Sequence, residues 1–139
     1  MIALTICQPY AALIVLPDDD ERSKRVENRT WHCGHVGALA IHAGKSKDYL
    51  GGDNYGMKDM PFGAMVGVCD MRGCFQMGVN DSTRAALRKW PWLAGHEHVE
   101  GPYCFVLAEV RRFKTPIPCN GKQGMWDWNP PDNWKDLLE

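Results

Sequence analysis

The 139-residue sequence contains no apolar run near eighteen residues, so no helical membrane span is expected. Neither charge is in excess. Sixteen Lys and Arg face seventeen Asp and Glu, which excludes a global field able to draw in a long duplex. A local basic pocket for one nucleotide or a short strand is still compatible with that balance. No glycine fingerprint for a dinucleotide follows a strand, and Gly51-Gly52 lacks the lysine-serine continuation of a phosphate loop. The CxxC element of structural zinc sites is missing. Cys33-x-His35 and His96-x-His98 offer ligand atoms without that spacing, and Cys69 and Cys74 lie near one strand and its bend. No metal and no cofactor are therefore expected. Internal repeats and low-complexity stretches are absent as well.

What is present is enough for one core. A chain of this length buries about two-thirds of its unfolded surface. A single domain over 1–130 is expected, with 131–139 a short C-terminal extension packed on it or frayed. The six cysteines sit partly in strand-like segments. Met1-Ile2-Ala3-Leu4 is strand-like and lacks the basic and apolar regions of a secretion signal. Reduced, mostly buried thiols in a cytoplasmic protein are expected. Six tryptophans supply core mass and candidate groove walls.

Taken in order, Ile2–Ile6 reads as a strand with Leu4 and Ile6 on one face. Gln8-Pro9 opens a buried two-turn helix, Tyr10–Leu16, which Pro17 ends. Residues 17–23 form an acid-rich loop. Arg25–Trp31 alternates like a strand, and Val36–His42 reads as the next. Lys45–Pro61 carries three glycines and few core positions, so it reads as a long surface loop with one helical turn, placed to cover a cleft. Phe62–Phe75 is a strand covered on both sides. Asp81-Ser82 caps a helix over Thr83–Trp90. His96–Gly101 is a polar loop, Tyr103–Val110 a strand, and Arg111–Pro118 a basic segment turning at its prolines. Met125–Trp128 closes the sheet, and Trp134 and Leu137 dock the tail. Many short strands with frequent glycines predict a mixed α/β, mainly β chain: a small barrel with short peripheral helices.

Chemistry-bearing residues concentrate between Lys24 and Lys45. In an extended strand Glu27, Arg29 and Trp31 share a face, and Lys24 joins them only if the chain bends. One reading is an internal salt bridge. The other is a polar cleft floor, with Arg29 forking onto a phosphate or carboxylate, Glu27 accepting from a base amino group and Trp31 stacking. His42 and Lys45 would place donors at the rim. Either Lys24 or Lys45 could serve as a base once burial or a neighbouring cation favours the neutral amine.

Several motifs occur in one order along nearly the whole chain: Leu4-Thr5-Ile6, Gln8-Pro9, Leu13-Ile14-Val15, the K-x-x-E-x-R set of Lys24, Glu27 and Arg29, Trp31, and Ile41-His42-Ala43 with Lys45. Gly101-Pro102-Tyr103 and Pro118-Cys119-Asn120-Gly121-Lys122 follow. This set resembles the ASCH-domain family of the PUA-like fold superfamily. The resemblance implies a five- or six-stranded β-barrel with a cleft where the early helix faces the barrel. Gln8, Pro9, Arg29, Trp31, His42 and Lys45 are then binding candidates, and Lys24 and Glu27 catalytic ones. Some relatives resemble amidohydrolases that remove the acyl group of N4-acetylcytidine through a lysine, a threonine and a glutamate; others are similar to ribonucleases. Lys24 matches that lysine, while Glu27 stands where the threonine would be. The link at 17–23 is also longer and more acidic than the family's, which favours a small ligand over a long nucleic acid.

Three functions follow as expectations. The first is binding of RNA, a short single strand, a nucleotide or a modified nucleoside. The second is an amidohydrolase or ribonuclease acting on such a molecule. The third is a non-catalytic protein-interaction domain using the glycine-rich loop and exposed tryptophans.

Overall fold

β-branched and apolar residues at Ile2, Leu4 and Ile6 make the first strand, β1 (Ile2–Ile6), with the bounds the alternation predicts. The computed structural model describes all residues, Met1–Glu139. After β1 come a short helix α1 (Tyr10–Ile14), β2 (Val26–Arg29), β3 (Gly37–Ala43), β4 (Ala64–Gln76), α2 (Asn80–Lys89), β5 (Tyr103–Pro118) and β6 (Met125–Asp127), with 3₁₀ turns at Asn54–Gly56, Pro91–Gly95 and Trp134–Leu137. The chain is mainly β with few, short helices, as expected. Six strands hydrogen-bond in the order β2-β5-β4-β3-β1-β6. No helix is long and apolar enough to cross a membrane.

The chain divides into two compact units. The first comprises Met1–Lys24, Ala38–Asp70 and Glu109–Glu139. Here β1 pairs in parallel with β3, setting Thr5 opposite His42, and antiparallel with β6, setting Ala3 opposite Trp126. Its core gathers Ala3, Ala40, Met65, Phe113, Trp126 and Trp128, with Trp134 and Leu137 of the tail packed against them. The tail is thus docked, and Leu138 bridges to Phe113 on β5. The first six residues of β4, Ala64–Cys69, are all buried, in line with a strand covered on both faces. The helix α1 ends two residues before its apolar run does, and Ala11–Ile14 are buried without exception.

The second unit comprises Arg25–Gly37 and Met71–Ala108. There β2 pairs antiparallel with β5, from Val26 opposite Val106 to Arg29 opposite Tyr103. Val26, Phe75, Ala86, Leu93, Cys104 and Val106 form its core.

Three expectations are corrected. The segment 111–118 is strand, not turn. β5 runs on through Pro116 and Pro118, with Glu109 at φ 51° marking an irregularity. β2 pairs only with residues 103–106; further along, the C-terminal tail meets β5, with Leu138 opposite Phe113 and the Glu139 N–H donating to the Arg112 carbonyl. Proline costs no ladder bond on a strand edge. Next, α2 begins at Asn80 rather than Thr83, and its N-cap is Val79 without a side-chain cap. Ser82 instead accepts from the Gln76 amide, turning its hydroxyl back toward β4. Finally, His98 in the polar loop is buried. All six cysteines carry free thiols, and no group of His, Cys, Asp or Glu is arranged to hold a metal.

Candidate functional site

In the first unit α1 and the loop after β3 line an open pocket of about 210 Å³ formed by Pro9, Tyr10, Tyr49, Gly51, Asp53, Asn54 and Tyr55. Tyr10 lines it from α1. The Tyr49 ring lies 6.0 Å from it and the Tyr55 ring 6.5 Å, both edge-to-face. Such pairs are favourable because the positive edge of one ring meets the negative face of another. On Tyr10 also rests the ammonium of Lys24, 5.5 Å from the ring centroid. Lys24 is 3% exposed, and its backbone N–H donates to the Leu13 carbonyl at the end of α1. Lys24 is thus tied to the end of α1 and to Tyr10.

Gln8 and Pro9 support this corner from below. The Gln8 side chain is wholly buried. Its Oε1 accepts from the Ala12 N–H at 2.9 Å, satisfying an amide that the first turn of a helix leaves without a partner. Its Nε2 donates to the Pro61 carbonyl at 2.8 Å, which anchors the far end of the glycine-rich loop. Pro9, joined by a cis peptide to Gln8, gives the cavity one wall. No residue from 45 to 61 is buried, so the loop owes its position to these ties.

His42 and Lys45 meet at a different element. His42 is 1% exposed and both ring nitrogens are engaged. Nε2 lies 2.9 Å from the Cys119 carbonyl, which can only accept, so Nε2 carries the proton and donates. Nδ1 then accepts from the Thr5 hydroxyl at 3.2 Å, and Thr5 Oγ1 accepts from Trp126 Nε1–H at 3.1 Å. Burial holds the imidazole below its ordinary value, opposed by the Cys119 carbonyl and aided by the charge of Lys45. A neutral, fully satisfied ring of this kind supports the fold. Lys45 is exposed, and its Nζ donates to Asn120 Oδ1 at 3.3 Å. Both residues thus hold the segment 119–121.

In the second unit Glu27 and Arg29 share a strand face, as the alternation predicts. Arg29 Nε and Nη2 donate to the same Glu27 oxygen at 3.1 and 2.9 Å. The internal salt bridge is the arrangement the geometry shows for this pair. Trp31 lies just beyond β2 and packs edge-to-face on Phe105 at 5.2 Å.

Sequence reasoning passed over Tyr49, Tyr55, Asp53 and Asn54, and treated Tyr10 only as a helix start. The available signal was two tyrosines in a glycine-rich loop that has no core to fill; Tyr49 is 62% exposed. No protein-family model matches the chain, and no curated protein matches it either.

Proposed function

We propose that the chain is an ASCH-like domain of the PUA-like fold that binds a nucleotide, a modified nucleoside or a short RNA single strand in the tyrosine-lined cavity of its first unit. The carrying observation is the buried Lys24 ammonium set against Tyr10, which forms the wall of a cavity with two further tyrosines. Aromatic faces bind bases of any sequence, at roughly 1–3 kcal/mol per stacked base. A cavity of about 210 Å³ is below the ~300–1,000 Å³ of drug-sized sites and suits a single planar ring. Asp53 and Asn54 add acceptor and donor groups at its edge. Lys24 does not itself line the cavity; its charge acts there through the Tyr10 ring on which it rests. The near balance of acidic and basic residues agrees with a small ligand.

The experiment is titration of the protein with nucleosides, modified nucleosides and short RNAs at low salt, alongside Tyr10→Ala. Binding that Tyr10→Ala weakens at least tenfold supports this reading; no binding across the panel overturns it.

One observation favours catalysis as the second reading. A lysine held at 3% exposure is placed as a general base requires, away from competing water. In an amidohydrolase acting on an N4-acylated cytidine, this lysine as the neutral amine would take a proton from the water attacking the acyl carbon and return it to the departing N4 amine. Turnover of such a cytidine that Lys24→Ala abolishes would establish this reading, and an inert wild-type protein would remove it.

A further inference from the structure

The acidic loop before Lys24 reaches the glycine-rich loop through Arg22. In it Asp20 grips Arg22 with both carboxylate oxygens: Arg22 Nε donates to Oδ1 at 3.0 Å and Nη2 to Oδ2 at 2.8 Å. The Arg22 N–H donates to the same Oδ1 at 2.9 Å. Two parallel bonds fix the plane of a guanidinium as a single bond cannot. The nitrogen left over, Nη1, reaches across to the glycine-rich loop, donating to the Tyr55 carbonyl at 3.0 Å with Met57 Sδ at 3.8 Å.

The place it grips is strained. Asn54, Tyr55 and Gly56 all have positive φ, at 50°, 57° and 73°. A left-handed conformation disfavours residues with a Cβ. At Tyr55 it is held by Asp53, whose side chain accepts from the Tyr55 N–H, and by Arg22 on the carbonyl side. Glycine at 56 meets the φ of 73°, while a Cβ there would make only an ordinary contact with Nη1, at 3.5 Å.

We propose that Arg22, oriented by Asp20, is a positioning residue that holds Tyr55 and Tyr49 as a lid over the nucleoside cavity. The inference rests on the function proposed above and adds what keeps its aromatic cage closed. With the clasp broken, the strained turn relaxes, the two loop tyrosines leave Tyr10, and a bound ring escapes faster. Affinity changes through the dissociation rate.

The test compares wild type, Arg22→Ala and Arg22→Lys by amide hydrogen exchange and by stopped-flow release of whichever nucleoside the wild type binds. The Gly56 and Met57 amides, bonded to the Asp53 and Asn54 carbonyls, report the loop without any ligand. In Arg22→Ala they should exchange about three- to tenfold faster, and release should quicken by a similar factor, the loss of one exposed charge-assisted bond. The urea midpoint should not move, which separates a lid from a structural prop. Arg22→Lys keeps the charge without the fork and should recover only part of the effect. Unchanged exchange at Gly56 and Met57 overturns the clasp. Faster exchange with unchanged release overturns the lid. Faster exchange in a protein that binds no nucleoside supports the clasp and overturns the proposed function instead.

Discussion

Gly121→Ala should destabilise the protein far more than the loss of a glycine on a surface segment suggests. A Cβ on Gly121 would stand 2.6 Å from His42 Cε1, 2.6 Å from His42 Nδ1 and 2.6 Å from Thr5 Oγ1. Its φ is ordinary, so the obstacle is space alone. Neither neighbour can yield cheaply. His42 is pinned by Cys119 and Thr5, and Thr5 by Trp126. The 119–121 segment must therefore lift. Overpacking a tight site costs about 1–3 kcal/mol. A lifted segment also stretches the Cys119–His42 bond and leaves a buried N–H short of its acceptor, at about 1–3 kcal/mol. Since lifting relieves part of the clash, the two overlap, and about 2–4 kcal/mol is expected. Urea unfolding of wild type and variant measures it. Gly34→Ala, where a Cβ would meet nothing within 4 Å, is the control and should stay within about 0.5 kcal/mol. A Gly121→Ala loss below about 0.5 kcal/mol would refute the pinned histidine.

Other outcomes follow from the same contacts. Because burial depresses His42 in the fold, the unfolded chain takes up its proton first as pH falls. The stabilisation from the neutral ring is complete above its ordinary value of 6.5, declines below it, and is gone once pH passes the lowered value; unfolding curves at pH 8 and pH 5.5 should differ more for wild type than for His42→Gln. Trp126→Phe removes the donor to Thr5 and should cost about 1 kcal/mol by urea unfolding. In Gly67→Ala a Cβ would stand 2.6 Å from the Arg111 carbonyl and 2.8 Å from Val15, so a loss of about 2–3 kcal/mol in the same assay is expected. Glu27→Gln takes the carboxylate from a mostly covered ion pair and should cost about 1–3 kcal/mol, whereas Glu139→Gln, at an exposed pair with Arg112, should stay below about 1 kcal/mol.

Local pattern carried the parts of the fold that local physics decides. β1 and the Glu27–Arg29 face were legible because alternation has one meaning in a strand. The continuation of β5 was not. Its prolines argue for a turn until the pairing shows that β2 begins at Val26, opposite Val106, and does not run along residues 111–118. The 45–61 loop was legible as a loop from its glycines. The ties that place it, Gln8 to Pro61 and Arg22 to Tyr55, join residues 53 and 33 positions apart and leave no trace in composition. The histidine at 42 looked like a rim donor because its burial depends on Cys119 and Trp126, far along the chain. Arg22 lies in a segment whose sequence reads only as an acid-rich loop, and the fork from Asp20 is what fixes where it points.

The most direct measurement is the dissociation constant of a nucleoside or short single strand by isothermal titration calorimetry, for wild type, Tyr10→Ala and Lys24→Met, each with its fold verified by circular dichroism. Cation–π support and base stacking together predict a loss of at least about tenfold for Tyr10→Ala, and for Lys24→Met a smaller loss of about two- to fivefold. Equal affinity in all three, or none in the wild type, would contradict the assignment of this cavity.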